Sequence, residues 1–299
     1  MVDAGVLLVD KPGGMTSHDV VSRARKALGT RKIGHAGTLD PMATGLLILG
    51  VEGATRLLTY IVGLDKTYEA TIRLGVATET DDAEGQPTQM TDASAVAESS
   101  ITEGIAALTG EIEQVPSTVS AIKVGGRRAY DLARAGEAVE LKSRKVTVSR
   151  FDVLAIRRVP RDHGEMIDLD VVVDCSSGTY IRALARDLGA GLGVGGHLTA
   201  LRRTRIGPFT LEGAAEADAL DGAVLRSPAE VAMAIVGRLD VTAAEARDLR
   251  QGKRLVGAAS RMPQNPTAAV DPDGILIGIV ERRAGDVKSA MNMPTEAFR

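Results

Sequence analysis

Leu46-Leu47-Ile48-Leu49-Gly50-Val51, then Thr55 to Ile61, then Tyr68-Glu69-Ala70-Thr71-Ile72-Arg73-Leu74 is the stretch on which the fold turns. The first run is short and apolar, as a buried strand is. Thr55 to Ile61 has helical spacing. In the last run Tyr68, Ala70, Ile72 and Leu74 alternate with more polar residues, the period of a half-buried strand. Working outward, Gly5 to Asp10 reads as a strand and Ser17 to Leu28 as an amphipathic helix. Val20, Val21, Ala24 and Leu28 lie on one side of that helix, and Thr16 or Ser17 serves as its N-cap. Ala93 to Leu108 is helical in pattern, Val146 to Val159 and Met166 to Cys175 are strand-like, and Tyr180 to Leu188 returns to helical spacing. Several neighbouring strands lack the crossover helix that parallel pairing requires, so the expected fold is α+β with a mixed, largely antiparallel sheet.

From Pro208 the chain becomes alanine-rich and is expected to be helical to about Val236. Beyond Arg238 short segments are broken by Gly, Pro and Asn, with a strand at Ile275 to Val280. The reading is therefore a large domain over 1–238 and a small β-rich one over 239–299.

The 299 residues carry a net charge of −3, with 44% hydrophobic and 25% charged residues, a balance suited to a folded, soluble chain. No apolar run approaches the ~20 residues of a membrane span. Met1 to Asp10 lacks a basic leader and reaches an acid early, so a cytoplasmic location is expected. The single cysteine, Cys175, excludes an internal disulfide framework and any multi-cysteine zinc site. His18, His35, His163 and His197 are scattered, none at metalloenzyme spacing, and no metal is expected. Charge is uneven along the chain. Glu79 to Glu113 holds nine acidic and no basic residues, whereas Lys123 to Arg161 holds eleven basic against four acidic. Such a stripe suits a polyanion, or a solvated face of salt bridges.

The strongest local feature is Gly34-His35-Ala36-Gly37-Thr38-Leu39-Asp40-Pro41-Met42-Ala43-Thr44-Gly45-Leu46-Leu47, a turn-rich loop running into the buried strand. Pro41 pushes Asp40 out of helical geometry, which sets a carboxylate on a stiff loop beside the core. Asp40 there suits a nucleophile, a base or a metal ligand, and equally a residue that only stabilises the turn. Lys11-Pro12-Gly13-Gly14-Met15-Thr16-Ser17 lacks the order of a phosphate-cradling loop. Gly191-Leu192-Gly193-Val194-Gly195-Gly196 fits G-x-G-x-x-G but follows a helix, and reads as a turn. Cys175-Ser176-Ser177-Gly178-Thr179-Tyr180-Ile181-Arg182 ends a strand and starts a helix. Arg182 in a first helical turn opposes the helix dipole, a placement that fits service to a carboxylate. Tyr68 is one of seven aromatic residues and sits in a strand, where it is either core or a stacking surface for a base.

These segments, in this order over residues 5 to 210, resemble the bacterial tRNA pseudouridine synthases of the TruB type. The likeness rests on Asp10-Lys11-Pro12 with Thr16-Ser17, the Gly34 to Leu47 loop, Lys66-Thr67-Tyr68, Ala121-Ile122-Lys123, Cys175 to Arg182, and His197-Leu198 through Leu201-Arg202-Arg203-Thr204. The resemblance implies that Asp40 is the catalytic aspartate with Arg182 as its ion-pair partner. Tyr68 stacks on the target base, Tyr180 and Leu201 wall the pocket, His35 takes the place of the extruded base, and Lys11 and Arg56 support the cleft. An RNA-gripping insertion is implied at about 121–148, over the basic stripe, with Lys123, Arg127, Arg128, Arg144 and Lys145, joined by Arg202 and Arg203, as RNA contacts. Residues 239–299 are expected to be a small PUA-like RNA-binding module.

The implied reaction detaches uracil at N1, turns it and rejoins it through C5, at uridine 55 in the T arm of tRNA. No atom enters or leaves, so no cofactor is expected, and a monomer without an obligatory protein partner suffices. Attack at C6, attack at the anomeric carbon and proton abstraction at the sugar all remain open for Asp40. Two other readings also remain: a tRNA-folding chaperone whose chemistry is secondary, and a base-cleaving glycosidase.

Overall fold

The computed structural model describes residues 2–117, 123–124, 127–128, 141–162 and 164–294. The chain forms two compact units, 1–63 with 206–299, and 64–205.

In the first unit β1 (Gly5–Lys11) lies antiparallel to β3 (Thr44–Val51), in a register running from Gly5 opposite Val51 to Lys11 opposite Gly45. On its other edge β3 pairs with β2 (Ile33–Ala36). Between β1 and β2 runs α1 (Ser17–Ala27), opened by a capping box in which Thr16 and Asp19 satisfy each other's backbone donors. Val20, Val21 and Ala24 are its buried face, and with Leu7, Val9, Leu47 and Leu49 they form one core. The strand, helix and cap read from this part of the sequence all hold. The helix expected over Thr55 to Ile61 is instead a 3-10 turn, Glu52–Leu57, running into α2 (Leu58–Val62).

The second unit is built on an antiparallel run of strands. β4 (Lys66–Leu74) pairs with β11 (Gly164–Cys175), which pairs with β10 (Arg144–Arg161), which pairs with β7 (Gly110–Gln114). All three pairings are antiparallel, and β12 (Gly196–Ile206) flanks β4. β7 covers only Arg144 to Val148 of β10. The outer length of β10 therefore pairs with β11 alone and carries a register shift between Val153 and Ala155. A small hairpin, β5 (Val76–Thr78) and β6 (Pro87–Met90), leads to α3 (Glu98–Ala107). Ala93 to Ala97 is not helical as expected, because Asp92 turns that segment by accepting from the Ser94 amide (3.0 Å) and the Glu165 amide (2.8 Å). The RNA-gripping insertion expected at 121–148 falls largely outside the described residues. Within it the backbone of β8 (Lys123–Val124) pairs with β9 (Arg127–Arg128), and the side chains of Lys123, Arg127 and Arg128 lie outside the description.

α4 (Ile181–Gly191) packs back against the sheet so tightly that a Cβ on Gly189 would lie 2.2 Å from the carbonyl carbon of Gly195. The glycine-rich run Gly191 to Gly196 is, as expected, a turn. Gly193 and Gly195 take φ of 73° and 76°, a region open to glycine, and carry the chain straight into β12.

The stretch after Pro208 departs from expectation. It is not a continuous helix: β13 (Phe209–Thr210) and β14 (Ala215–Glu216) come first, and only α5 (Pro228–Val236) is helical. Gly213 and Gly222 take positive φ and break the run, and alanine content alone does not override two left-handed turns. Ala217 and Leu220 are buried against the α1 core instead. From Arg238 a separate four-stranded sheet follows, β15 (Arg238–Asp240), β16 (Thr267–Val270), β17 (Leu276–Arg283) and β18 (Asp286–Asn292). With α6 (Ala243–Arg250) it encloses its own core of Leu239, Leu249, Leu255, Ile277, Val280 and Val287. The fold is thus α+β, with a mixed sheet and a small C-terminal β-sheet. Among the described residues no helix is long and apolar enough to cross a membrane.

Substituting Gly189→Ala forces backbone against backbone at the α4–β12 turn, and a loss of about 1–3 kcal/mol is expected. Urea denaturation of the two proteins measures it, and an unchanged midpoint contradicts the close approach.

Candidate active site

In the first unit the loop 37–43 joins β2 to β3, and its two ends are fixed because those strands are paired. Gly37 at φ 77° and Gly45 at φ 97° supply the reversals. The Asp40 carbonyl accepts from the Ala43 amide at 3.1 Å, which tightens a turn over Pro41 and Met42. Each neighbour of Asp40 is held from outside the loop. The Ser17 hydroxyl accepts from the Leu39 amide (2.9 Å) and donates to the Leu39 carbonyl (3.2 Å). The Pro41 carbonyl accepts from the Gly14 amide (2.8 Å) and from Lys11 Nζ (3.2 Å). Lys11 is 0% exposed. Its ammonium also donates to the carbonyls of Pro12 (2.9 Å) and Met15 (2.6 Å). A buried ammonium is tolerable when its protons are engaged, and here they tie the β1–α1 segment to the aspartate loop. The Lys11 to Ser17 stretch, which the sequence shows only to lack phosphate-loop order, is thus the cradle that presents the half-buried Asp40. Thr16, not Ser17, caps the helix, and the clamping role of Ser17 was missed, since a hydroxyl at a helix start carries no sign of a distant partner.

His35 stands on β2 opposite Leu49, its ring edge-on to that of His18 with centroids 6.5 Å apart. Arg56 is exposed and donates to the Asn292 carbonyl at 2.5 Å, at the end of β18. Lys11 and His35 belong to the strands that flank the aspartate loop; Arg56 engages the C-terminal sheet.

The second unit sets Tyr180, Arg182 and Arg144 together at the start of α4. Arg182, in its first turn, is buried and lies 3.2 Å from Asp82, while also donating to the Thr80 carbonyl at 2.8 Å. One turn on, Arg186 reaches Asp81 at 3.3 Å and the Val115 carbonyl at 2.7 Å. Burial pushes the Asp81 carboxyl above its ordinary value, against the pull of Arg186 and Arg182. Asp81 adopts φ of 61°, a strained backbone for a residue with a side chain. Asp82 was missed by the sequence reading, because the acidic run from Glu79 read as bulk charge. Tyr180 caps the helix, and the Arg144 guanidinium lies over its ring at 5.7 Å. Tyr68 on β4 and Leu201 on β12 are both buried.

Two of the expected RNA contacts separate here. Arg202 is half-exposed, whereas Arg203 is 1% exposed, so the guanidinium read as a surface RNA contact is a core group. Lys66, also buried, has its ammonium pushed down to about 8, first by burial and then by the charge of Arg203. Of the basic stripe, Arg150 pairs with Asp152 (2.5 Å), Arg157 with Asp170, and Arg158 with Glu165 (3.2 Å). That outer part of β10 is the salt-bridged face which charge counting left open. Lys145, at the inner end, is exposed. Cys175 is buried and its thiol is pushed up to about 11 by burial, the opposite of an activated nucleophile. Among the described residues no group of three or more His, Cys, Asp or Glu side chains is arranged to hold a metal ion.

Comparison with known proteins places this geometry in context. Residues 25–181 match the TruB family pseudouridylate synthase N-terminal domain, 182–236 the tRNA pseudouridylate synthase B C-terminal domain, and 237–294 the tRNA pseudouridine synthase II C-terminal domain. The chain is 57% identical to tRNA pseudouridine synthase B of Leifsonia xyli, over 99% of this chain and 98% of that one. It is 58% identical to tRNA pseudouridine synthase B of Nocardia farcinica, over 93% and 90% respectively. Its fold is shared with a chain of an H/ACA RNP bound to a substrate RNA containing 2'-deoxyuridine, at a TM-score of 0.71 and 23% identity, covering 99% of this chain and 87% of that one.

Two outcomes follow from the buried lysines. Lys11→Met removes the donor to three carbonyls and is expected to cost about 1–3 kcal/mol, with faster amide exchange at Gly14 and Ala43; exchange confined to other segments contradicts the cradle. For Lys66 the folded state binds the proton less tightly than the unfolded chain does. Its penalty is therefore fully present below pH 8 and fades as pH rises toward the unfolded value of 10.5. Stability contributed at this position should rise between those limits in the native protein and lose that slope in Lys66→Met, as read from urea midpoints across the range.

Proposed function

The chain belongs to the TruB family of pseudouridylate synthases, and on that premise we propose that it isomerises uridine 55 in the T arm of tRNA, with Asp40 as the group that acts on the flipped-out nucleotide. The observation that carries this reading is the double clamp on Leu39 and Pro41, which fixes the backbone on both sides of one carboxylate. Holding a reacting group within ~3.5 Å of its target and correctly aimed is worth up to about 7–11 kcal/mol of the barrier, and a loop tied at both shoulders is built for that.

The chemistry asks for little else. The N1 glycosidic bond breaks, uracil rotates, C5 bonds to the ribose and gives up its proton to water, and the freed N1 takes up a proton, so the atoms balance. Attack at C6, attack at the anomeric carbon and abstraction of a sugar proton each require Asp40 ionised, and the proposed pairing with Arg182 favours that form. Tyr68 stacks on the base, offsetting by ~1–3 kcal/mol the few kcal/mol that extrusion costs. Tyr180 and Leu201 line the pocket, His35 occupies the gap in the loop, and Arg56 and Lys11 support the cleft from the protein side. Because the reaction only rearranges one substrate, it calls on no hydride or phosphoryl donor. The basic insertion with Lys123, Arg127, Arg128, Arg144 and Lys145, together with Arg202, grips the RNA backbone. Residues 239–299 act as a PUA-like module that holds the tRNA, and one chain suffices. Their separate core and the family match over 237–294 support that division.

Asp40→Asn is expected to bind tRNA within a few-fold of the native protein and to form no pseudouridine in a T-arm stem-loop, measured by mass-labelled uridine. Retained conversion would falsify the role of Asp40, release of free uracil by the native protein would identify a glycosidase, and tRNA refolding without conversion would identify a chaperone.

A further inference from the structure

Gln114 is 0% exposed and ends β7. Its amide oxygen accepts from the Tyr180 backbone N–H at 2.8 Å, and its amide nitrogen donates to the Tyr180 carbonyl at 3.1 Å. One side chain thus satisfies both main-chain groups of one residue, as a neighbouring strand would. Tyr180 is the N-cap of α4 and has no side-chain cap hydrogen bond of its own. The helix also lacks an acidic residue in its first turn and carries Arg182 there, which the helix dipole disfavours. By itself, then, this helix start is poorly specified. Arg182 is anchored by Asp82 and the Thr80 carbonyl, and what fixes the Tyr180 main chain is Gln114, reinforced one residue on by the Val115 carbonyl accepting from Arg186.

The position of Gln114 adds a second element. In the β7–β10 ladder it lies directly opposite Arg144, and the Arg144 guanidinium covers the Tyr180 ring. One member of this cross-strand pair therefore holds the Tyr180 backbone and the other its ring. Gln114 ends the strand that precedes the chain segment proposed above to grip RNA, and Arg144 begins the strand by which that segment rejoins the sheet.

We propose that Gln114 is a positioning residue for the isomerisation: it fixes the Tyr180 main chain, and through it the Tyr180 ring and the Arg182 turn, so that the base of the RNA-gripping segment and the uridine pocket form one rigid piece. This rests on the reading that Tyr180 and Arg182 belong to the uridine pocket. Gln114 touches no reacting atom, and its effect is on aim, not affinity.

The test is Gln114→Met, which keeps the volume and removes both bonds, and Gln114→Glu, which keeps the acceptor but sets a carboxylate oxygen against the Tyr180 carbonyl. Gln114→Met is expected to lower kcat by up to about 100-fold, the effect of an ångström-scale misplacement, with KM and tRNA affinity within threefold. Gln114→Glu should regain activity relative to the native protein as pH falls, because a protonated carboxyl can both donate and accept as the amide does. Ile101→Val, in the core of α3, serves as a comparison for general destabilisation. Unchanged kcat in Gln114→Met, a loss no larger than that of Ile101→Val at equal stability, or a pH ratio that stays flat overturns the proposal. Exchange of the Tyr180 amide separates this inference from the one beneath it. If the native protein makes no pseudouridine, the pocket reading fails, yet faster exchange at Tyr180 in Gln114→Met still supports the clamp and unchanged exchange still refutes it.

Discussion

A lysine ammonium without solvent governs how the aspartate loop is built. Lys11 sits at the end of a strand, fully buried, and must place its protons on oxygen or not exist as a cation there. The chain supplies carbonyls from Pro12, Met15 and Pro41. Two belong to the turn into α1 and one to the loop that carries Asp40, so satisfying one charge fixes the spacing of two segments thirty residues apart in sequence. Glycines at 37 and 45, the proline after Asp40 and the hydroxyl of Ser17 all serve the same placement. Asp40 is therefore placed through main-chain contacts made by its two neighbours, Leu39 and Pro41.

The second unit solves a different problem by a similar route. Its helix α4 begins with a cation where a helix prefers an anion, and the cost is offset by carboxylates from the acidic segment after β5, Asp82 buried and Asp81 nearly so. Asp82 faces Arg182 and Asp81 faces Arg186. Removing one partner from such a pair leaves an uncompensated charge, which is more damaging than the pair is helpful. The acidic run with no basic residue is thus in part a source of counter-ions for the arginines of α4, and not merely a solvated surface.

Much of this was legible in the sequence, for reasons specific to each element. The α1 helix announced itself because its cap and its apolar spacing agree with one another. The turn character of Gly191 to Gly196 was plain once its place after a helix was noticed. The irregular course between Pro208 and Pro228 was not legible: alanine suggests helix, and only the left-handed glycines at 213 and 222 say otherwise. Arg203 was read as a surface contact because nothing local distinguishes it from Arg202; burial of a guanidinium is decided by strand register across a sheet. Gln114 was missed for a related reason, since its partner lies 66 positions away and the bond is to backbone, which leaves no side-chain signature.

The outer length of β10 has a bearing on how the protein survives in a crowded cell. Among the described residues that strand pairs beyond Val148 with β11 alone, and an unpaired strand margin invites a strand from another molecule to add itself. The register slip at Val153, Pro160 with no amide proton to offer, and the row of arginines along it make the margin an unwelcoming template. The arginines that pair with Asp152, Asp170 and Glu165 thus have a second physical consequence, since a charged, proline-bearing margin disfavours the addition of a foreign strand.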